Sequence, residues 1–259
     1  MSLREVPTKE HYISGVDDLV RGFYIPTLQK STVYQRRTGY FNSRALAMAS
    51  RGLSGLLRNG GHMQLICSVE LEEDEREVYE STAEQREIIE KKAEEVARML
   101  ERPYDELERD RLALLAEFLS QGLLEIKIAY RPYGIYHEKV GIMKDADGNV
   151  IVFSGSDNET PGGWENNTES FHAFSSWDYP KHVQPEVETF DALWNNRLKG
   201  TTVVPLPDAV KQKILRYKLP EGWKGEEKSD PVPKALKRKT SLNWTPELAY
   251  IAEAPRLWN

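Results

Sequence analysis

Five residues between positions 137 and 158 have the types and the spacing for chemistry on a phosphodiester. His137 and Lys139 are two positions apart, so an extended strand would project both side chains from the same face. Two apolar runs follow, VGIM and VIVF, with the turn DADGN between them, and the second run leads into Gly155, Ser156 and Asn158. An imidazole, an ammonium, a hydroxyl and an amide would therefore meet at one end of a hairpin. The imidazole can bond to phosphorus while the other groups hold the non-bridging oxygens.

The order of these residues resembles the signature of the phospholipase D superfamily, which is H-x-K, four residues, Asp, six residues, Gly-Ser-x-Asn. All five residues match it. The aspartate departs from it, because Lys144 holds that position, Asp145 follows one residue later, and the distance to Gly155 is longer than in the pattern. A lengthened DADGN hairpin accounts for both differences. In the superfamily this aspartate is mostly structural. The resemblance is specific over residues 130–175 and weaker over residues 33–70.

The resemblance implies a role for each matching residue. His137 is expected to be the nucleophile and to form a phosphohistidine. Lys139, Ser156 and Asn158 are expected to bind phosphate oxygens, and Gly155 belongs to the same substrate-binding loop. Taken singly, these residues are a strand-end histidine, an exposed strand lysine and ordinary turn residues. Only their combination indicates a catalytic site.

Two further residues are candidates for the same site. Glu169 matches a downstream acid that bonds to the catalytic histidine in single-motif bacterial nucleases of the superfamily, which is also the orienting arrangement of catalytic triads. A surface glutamate is the alternative interpretation. Tyr40, with Phe41, closes a predicted strand over 33–41, where it would line the site or stack on a base. Core packing is the alternative for this pair.

A single motif predicts that two chains cooperate. None of the other four histidines is followed by a lysine two positions later, so the sequence holds one H-x-K copy. Superfamily members with one copy pair two chains, and then one histidine attacks while the second protonates the leaving oxygen. The resemblance therefore implies a symmetric homodimer with both sites at the two-fold interface.

The rest of the chain predicts an α/β fold. A β-α-β unit over residues 33–69 favours a parallel, right-handed crossover. From it we expect a mixed, largely parallel β-sheet flanked by helices. Further strands are expected over 123–130, 137–143, 149–155 and 168–177. Helices are expected over 12–30, 43–58, 183–198 and 208–219.

Charge and residue composition divide the chain into three parts. Residues 70–110 hold 17 of the 41 acidic residues and 7 of the 35 basic ones, which leaves 24 acidic and 28 basic residues elsewhere. Residues 72–121 are predicted to be an acidic helical hairpin inserted into a domain that spans 1–220. A linker and C-terminal extension are expected over 221–259. Domains of the superfamily often form the N-terminal part of larger helicase-like proteins. A domain followed by a linker and an extension suits a fragment of such a protein.

Composition limits the class of protein. No apolar run reaches the length of a membrane span, so we expect a cytoplasmic protein without a membrane partner. The single cysteine, Cys67, is expected to be buried, and it excludes an internal disulfide. Asp145, Asp147 and Asn149 resemble the start of a calcium loop, but a β-hairpin turn is the better interpretation. We expect no metal and no cofactor.

Three functions remain open. The first is a metal-independent nuclease, acting on DNA through phosphohistidine, with the basic segments Arg36–Arg37 and Lys234–Lys239 as candidate phosphate contacts. The second is a weak or inactive domain of the same fold that binds nucleic acid or dimerises within a larger helicase-like protein. The third is a phosphatidyl or other phosphoryl transferase.

Overall fold

An eight-stranded sheet forms the centre of the molecule. The computed structural model describes residues 2–40, 50–68, 87, 91, 106–131, 138–156 and 170–217. In these ranges the strands are β1 (His11–Ile13), β2 (Val33–Tyr40), β3 (His62–Ser68), β4 (Leu124–Tyr130), β5 (Val140–Lys144), β6 (Val150–Ser156), β7 (Ser170–Ser175) and β8 (Thr202–Pro205). Their order across the sheet is β1-β7-β6-β5-β2-β3-β4-β8.

Helices cover both faces of this sheet. A π-helical turn, Val20–Tyr24, leads into α1 (Ile25–Leu28). The other helices are α2 (Leu53–Arg58), α3 (Glu106–Ser120), α4 (Pro180–Trp194) and α5 (Asp208–Ile214), with 3-10 turns at Leu3–Glu5 and Leu215–Tyr217. Residues of α1, α2, α3 and α5 share one apolar cluster with the sheet, and residues of α4 share the other. The result is the three-layer arrangement typical of α/β proteins.

The sheet is mixed as predicted, but the prediction that it is largely parallel is wrong. Only the pairs β2–β3 and β3–β4 are parallel among the strands of the described ranges. The pairs β1–β7, β2–β5, β4–β8, β5–β6 and β6–β7 are antiparallel. The crossover unit predicted over residues 33–69 produces the parallel pair β2–β3, as expected. The DADGN turn makes β5 and β6 a hairpin, and hairpins join antiparallel strands.

The N-terminal segment also departs from its prediction. The sequence predicts a helix over 12–30, but Tyr12 lies in β1, opposite Phe171 of β7. The ring of Tyr12 stacks on that of Phe171, with 5.0 Å between centroids, and lies 4.9 Å from the ring of Phe23. Tyr12 and Phe23 have helical spacing in the sequence, but Tyr12 belongs to a three-residue strand at the edge of the sheet.

The other predicted elements are largely confirmed within the described residues. Strands β2 to β7 lie within a few residues of their predicted bounds, and so does α4. Cys67 is a buried free thiol. In the acidic insertion α3 matches the predicted second helix, and Glu87 and Lys91 are helical, while the remainder of residues 69–105 lies outside the described ranges. Residues 218–259 also lie outside them. No helix in the described ranges has the length and apolar character needed to cross a bilayer.

Candidate functional site

The β5–β6 hairpin brings the two halves of the motif together at the end opposite its turn. Val140 pairs with Ser154, and Lys144 pairs with Val150 beside the turn. Beyond the last strand pair, the Gly155 N–H donates a hydrogen bond of 3.4 Å to the carbonyl oxygen of Lys139. The backbone that carries the lysine of H-x-K therefore adjoins the glycine of Gly-Ser-x-Asn. The hairpin predicted from the sequence is confirmed, and so is the proximity of these two segments.

The candidate residues differ in how far the structure describes them. His137, Asn158 and Glu169 lie outside the described residues, so their roles stay predictions. For Tyr40 and Ser156 the structure describes the backbone. Tyr40 ends β2 opposite Ser68 of β3, and Ser156 ends β6 opposite Ser170 of β7, the residue that follows Glu169 in the sequence. Parts of the motif thus lie at the ends of adjoining strands.

Lys139 is buried rather than exposed. Its residue exposure is 7%, in contrast to the surface lysine that a lone strand position would suggest. An ammonium group is seldom buried without a partner of opposite charge or an acceptor, because removing it from water costs several kcal/mol. The structure thus places Lys139 inside the protein, at the end of the hairpin where the two motif segments meet.

Gly155 is required by the close approach of β7. A Cβ atom at this position would lie 2.1 Å from the carbonyl oxygen of Ser170 and 2.7 Å from the Cβ of Phe171. Both distances are shorter than real carbon contacts, and the first neighbour is backbone. A side chain at position 155 would therefore push the Gly-Ser-x-Asn segment away from β7. The glycine of the motif has a steric explanation that the sequence alone did not give.

A second glycine makes room for an aromatic ring and a buried arginine. A Cβ at Gly141 of β5 would lie 2.1 Å from the Phe153 ring of β6. The guanidinium carbon of Arg36 lies 5.0 Å from the centroid of that ring, which is a cation–π contact. Arg36 pairs with Gly141 across β2 and β5 and is 2% exposed. It is thus a buried cation one diagonal step from Lys139.

Arg37 has a role that sequence reasoning missed. The basic pair Arg36–Arg37 is predicted to contact phosphate, but Arg37 is fully buried and engaged by carboxylates. Its Nη1 lies 3.0 Å from Oε2 of Glu138, the central residue of H-x-K, and its Nη2 donates to Glu186 of α4. Residue types alone could not predict this cluster, since its members come from three separate elements. The other basic segment, Lys234–Lys239, lies outside the described residues.

Asp145 lies at the opposite end of the hairpin and is the centre of a hydrogen-bond network. One carboxylate oxygen accepts from the backbone N–H of Leu3 at 2.8 Å and from Nδ2 of Asn149 at 2.8 Å. The other accepts from the backbone N–H groups of Asp147 at 3.0 Å and of Asn149 at 2.8 Å. Burial raises the pKa of Asp145, but these hydrogen bonds outweigh it, and the pKa lies below its ordinary value of 3.8.

The turn at Asp145 is a β-hairpin turn, as predicted. The Asp145 N–H donates to the carbonyl of Asn149 at 3.1 Å, and Gly148 has a φ of +83°, a conformation that favours glycine. Within the described ranges, no group of three or more His, Cys, Asp or Glu side chains is placed to hold a metal ion.

Comparison with known proteins gives structural likeness without sequence matches. No protein-family model and no curated protein matches the sequence. Similar solved structures include a polyphosphate kinase from Porphyromonas gingivalis, with 8% identity and a TM-score of 0.42 over 79% of this chain and 25% of that one. A phosphatidylserine synthase from Haemophilus influenzae Rd KW20 has 17% identity and a TM-score of 0.40, over 80% of this chain and 44% of that one.

A third similar structure is a yeast tyrosyl-DNA phosphodiesterase. It has 12% identity and a TM-score of 0.30, with 56% of this chain and 26% of that one covered. This chain thus spans between a quarter and under a half of each of the three. All three TM-scores are below 0.5, and the function of this chain therefore has to be inferred from its own residues.

Proposed function

We propose that this chain is a phosphodiesterase of the phospholipase D superfamily that cleaves nucleic acid, with DNA as the favoured substrate, without a metal ion. One observation carries the proposal. The hydrogen bond between Gly155 and Lys139 brings the Gly-Ser-x-Asn segment against the H-x-K segment, and Lys139 is buried there. Two sequence motifs 16 residues apart, counted from Lys139 to Gly155, thereby lie together at one end of the β5–β6 hairpin.

The proposed reaction has two displacements at phosphorus. In the first, a ring nitrogen of His137 forms a bond to phosphorus while the bond to the leaving oxygen breaks, and the histidine of a second chain gives that oxygen a proton. In the second, water loses a proton to the same second histidine and attacks the phosphohistidine, which frees His137. Lys139, Ser156 and Asn158 hold the non-bridging oxygens, and Glu169 orients the His137 ring.

Charge distribution supports a polyanionic substrate. The acidic residues are concentrated in residues 70–110, and outside that segment basic residues outnumber acidic ones by 28 to 24. The acidic segment would repel nucleic acid from its own surface and leave another face for binding. The basic segment Lys234–Lys239 is a candidate for further phosphate contact.

The proposed assembly is a homodimer, because each reaction needs two histidines. Each chain supplies one H-x-K copy, so the two sites share the two-fold interface. A helicase-like region, in the same polypeptide or in a partner, is the proposed context of the activity. Measurement of mass in solution tests the dimer directly, and a strict monomer that still cleaves DNA would contradict the two-histidine reaction.

The decisive experiment is cleavage of labelled single-stranded and double-stranded DNA by purified protein in excess EDTA. We expect the wild type to cleave, and His137→Ala to lose at least about 10³-fold in rate while DNA affinity is retained. His62→Ala is the matched control, since His62 is an exposed histidine at the start of β3, at the same end of the sheet as the hairpin turn. It should cleave like the wild type.

The same experiment separates the alternative functions. Equal DNA affinity of wild type and His137→Ala with no cleavage by either would support a binding or dimerisation domain. Turnover of a phosphatidyl lipid with no salt-sensitive DNA binding would support a transferase. Cleavage that requires a divalent cation would contradict the proposed chemistry.

A further inference from the structure

Arg37 links the H-x-K segment to two other elements of the fold. Its side chain has no exposure to solvent, and its guanidinium contacts Glu138 at 3.0 Å and also Glu186 of α4. Both carboxylates are partly exposed, with side-chain exposures of 44% and 34%. One buried cation between two partly hydrated carboxylates is a favourable arrangement, because the carboxylates keep part of their hydration.

The sheet register explains why Arg37 meets Glu138. Arg37 of β2 pairs with Val140 of β5 on one side and with Ile66 of β3 on the other. Residue 138 precedes Val140 by two positions, so it is the diagonal neighbour of Arg37 on the same face of the sheet. That is the face against which α4 packs, because Val140 and Phe190 of α4 belong to the same apolar cluster.

The position of Glu138 constrains the residues on either side of it. In an extended segment, alternate side chains project to opposite faces. The bond from Gly155 to the Lys139 carbonyl continues the β5–β6 ladder to this point. With Glu138 held toward α4, Lys139 projects to the opposite face, and an extended continuation of the strand would direct position 137 there as well. A one-residue slip would reverse this and turn both motif side chains toward α4.

We propose that Arg37 is a positioning residue, which sets the orientation of the H-x-K segment by holding Glu138 on the α4 face. This inference rests on the proposed function, since it assigns Arg37 to the arrangement of His137 and Lys139. Because its side chain has no exposure to solvent, Arg37 is assigned no contact with substrate. A salt bridge that only stabilised the fold would change the melting temperature and leave the turnover of folded molecules unaltered.

The test compares two cations that link the sheet to α4. Arg37→Met removes the cation that contacts the motif. Lys127→Met is the matched control, because the Lys127 ammonium donates to the Trp194 carbonyl at 3.2 Å, at the C-terminal end of α4, and lies 4.1 Å from the centroid of the Trp194 ring. Glu138→Ala removes the motif partner of Arg37. If Arg37→Met fails to fold, Glu138→Ala replaces it in the test, because the Glu138 side chain is 44% exposed and its removal disturbs the core less.

The kinetic readout is kcat and KM for bis(4-nitrophenyl) phosphate, scaled to the folded fraction. We expect kcat to fall on the order of 10- to 100-fold in Arg37→Met and in Glu138→Ala, with little change in KM. The double variant should lose no more than the more affected single variant, because both changes break one contact. Lys127→Met should keep the wild-type kcat. Wild-type kcat in Arg37→Met and Glu138→Ala would overturn the inference while leaving the proposed function intact.

A second readout does not depend on turnover. Diethyl pyrocarbonate modifies accessible histidines, and mass spectrometry of the His137 peptide follows the rate. We expect faster modification of His137 in Arg37→Met and Glu138→Ala than in the wild type and Lys127→Met, because the segment is no longer held. If the wild type fails to cleave any phosphodiester, the proposed function is wrong. The rate of His137 modification still tests whether Arg37 positions the H-x-K segment. An equal rate in all four proteins would overturn it.

Discussion

The two ends of the β5–β6 hairpin are built from opposite charges. At the turn end, a buried carboxylate, Asp145, accepts hydrogen bonds from Leu3, Asp147 and Asn149. At the other end, the described buried charges are cations, with Lys139 in the motif and Arg37 against it. One end is an anion enclosed by N–H donors of the chain itself, and the other holds buried cations, of which Arg37 is paired with the carboxylates of Glu138 and Glu186. The comparison teaches that the shifted aspartate of the motif belongs to the structural end.

The largest expected effect comes from removal of the Asp145 carboxylate at the turn end. Asp145→Ala leaves three backbone N–H groups without their acceptor, so we expect the free energy of unfolding to fall by about 3 kcal/mol. Urea denaturation measures it. Turnover per folded molecule should stay at the wild-type level. Asp147→Ala, an exposed aspartate of the same turn, is the control and should change stability little. A loss of turnover in the folded fraction of Asp145→Ala would contradict the separation of the two ends.

A glycine at the site end should affect both stability and activity. The Cβ introduced by Gly155→Ala would lie 2.1 Å from the Ser170 carbonyl oxygen, so β6 and β7 must separate locally. We expect a loss of about 2 kcal/mol in unfolding free energy, and a fall in kcat on the order of tenfold. Denaturation and DNA cleavage measure the two effects. Wild-type cleavage by this variant would show that the motif loop does not depend on the approach of β7.

A glycine at the turn end should affect stability alone. Gly148 has open space around its Cβ position but a φ of +83°, so Gly148→Ala strains the backbone without a clash. We expect a loss of about 1 kcal/mol in unfolding free energy, and kcat equal to the wild type. The pair Gly155→Ala and Gly148→Ala therefore compares the two ends by one kind of substitution. Equal effects on kcat would contradict the comparison.

The smallest expected effect is a change in stability that appears only at acidic pH. Because the folded state holds the pKa of Asp145 below 3.8, its carboxylate contributes stability that is complete above the unfolded pKa and is lost as pH falls through the folded pKa. The difference in unfolding free energy between wild type and Asp145→Asn should therefore shrink below about pH 4. Denaturation at fixed ionic strength from pH 7 to pH 2 measures it. A constant difference over this range would exclude the ionised form as the source of stability.

Local patterns in the sequence predicted most of the elements but not the sheet direction. The apolar runs around the DADGN turn predicted β5 and β6, and the β-α-β pattern predicted the parallel contact of β2 and β3. The antiparallel pairing of β2 with β5 was not predicted, because the two strands are far apart in the sequence. Strand β1 was missed for the same reason. Its three residues gain their stability from Phe171 and its neighbours and not from a local pattern.

In the candidate site, too, local sequence predicts some contacts, while others depend on distant parts of the chain. The meeting of Lys139 and Gly155 follows from the hairpin alone, and it could be predicted. The contact of Arg37 with Glu138 and Glu186 depends on the β2–β5 register and on the position of α4, neither of which a motif contains. The close approach that requires Gly155 likewise comes from β7. Spacing in the sequence thus predicts which groups meet within one hairpin, but not what neighbouring strands add to them.

The first strand has a consequence for folding during synthesis. Leu3 bonds to Asp145, 142 residues later in the chain, and His11 pairs with His172 of β7. A ribosome delivers Leu3 and His11 well before Asp145 and His172, so the first two residues wait for partners that are made much later. The edge of the sheet should therefore close late, and such long-range pairing slows folding. Until then, the nascent hairpin would expose the edge of β7 to other chains.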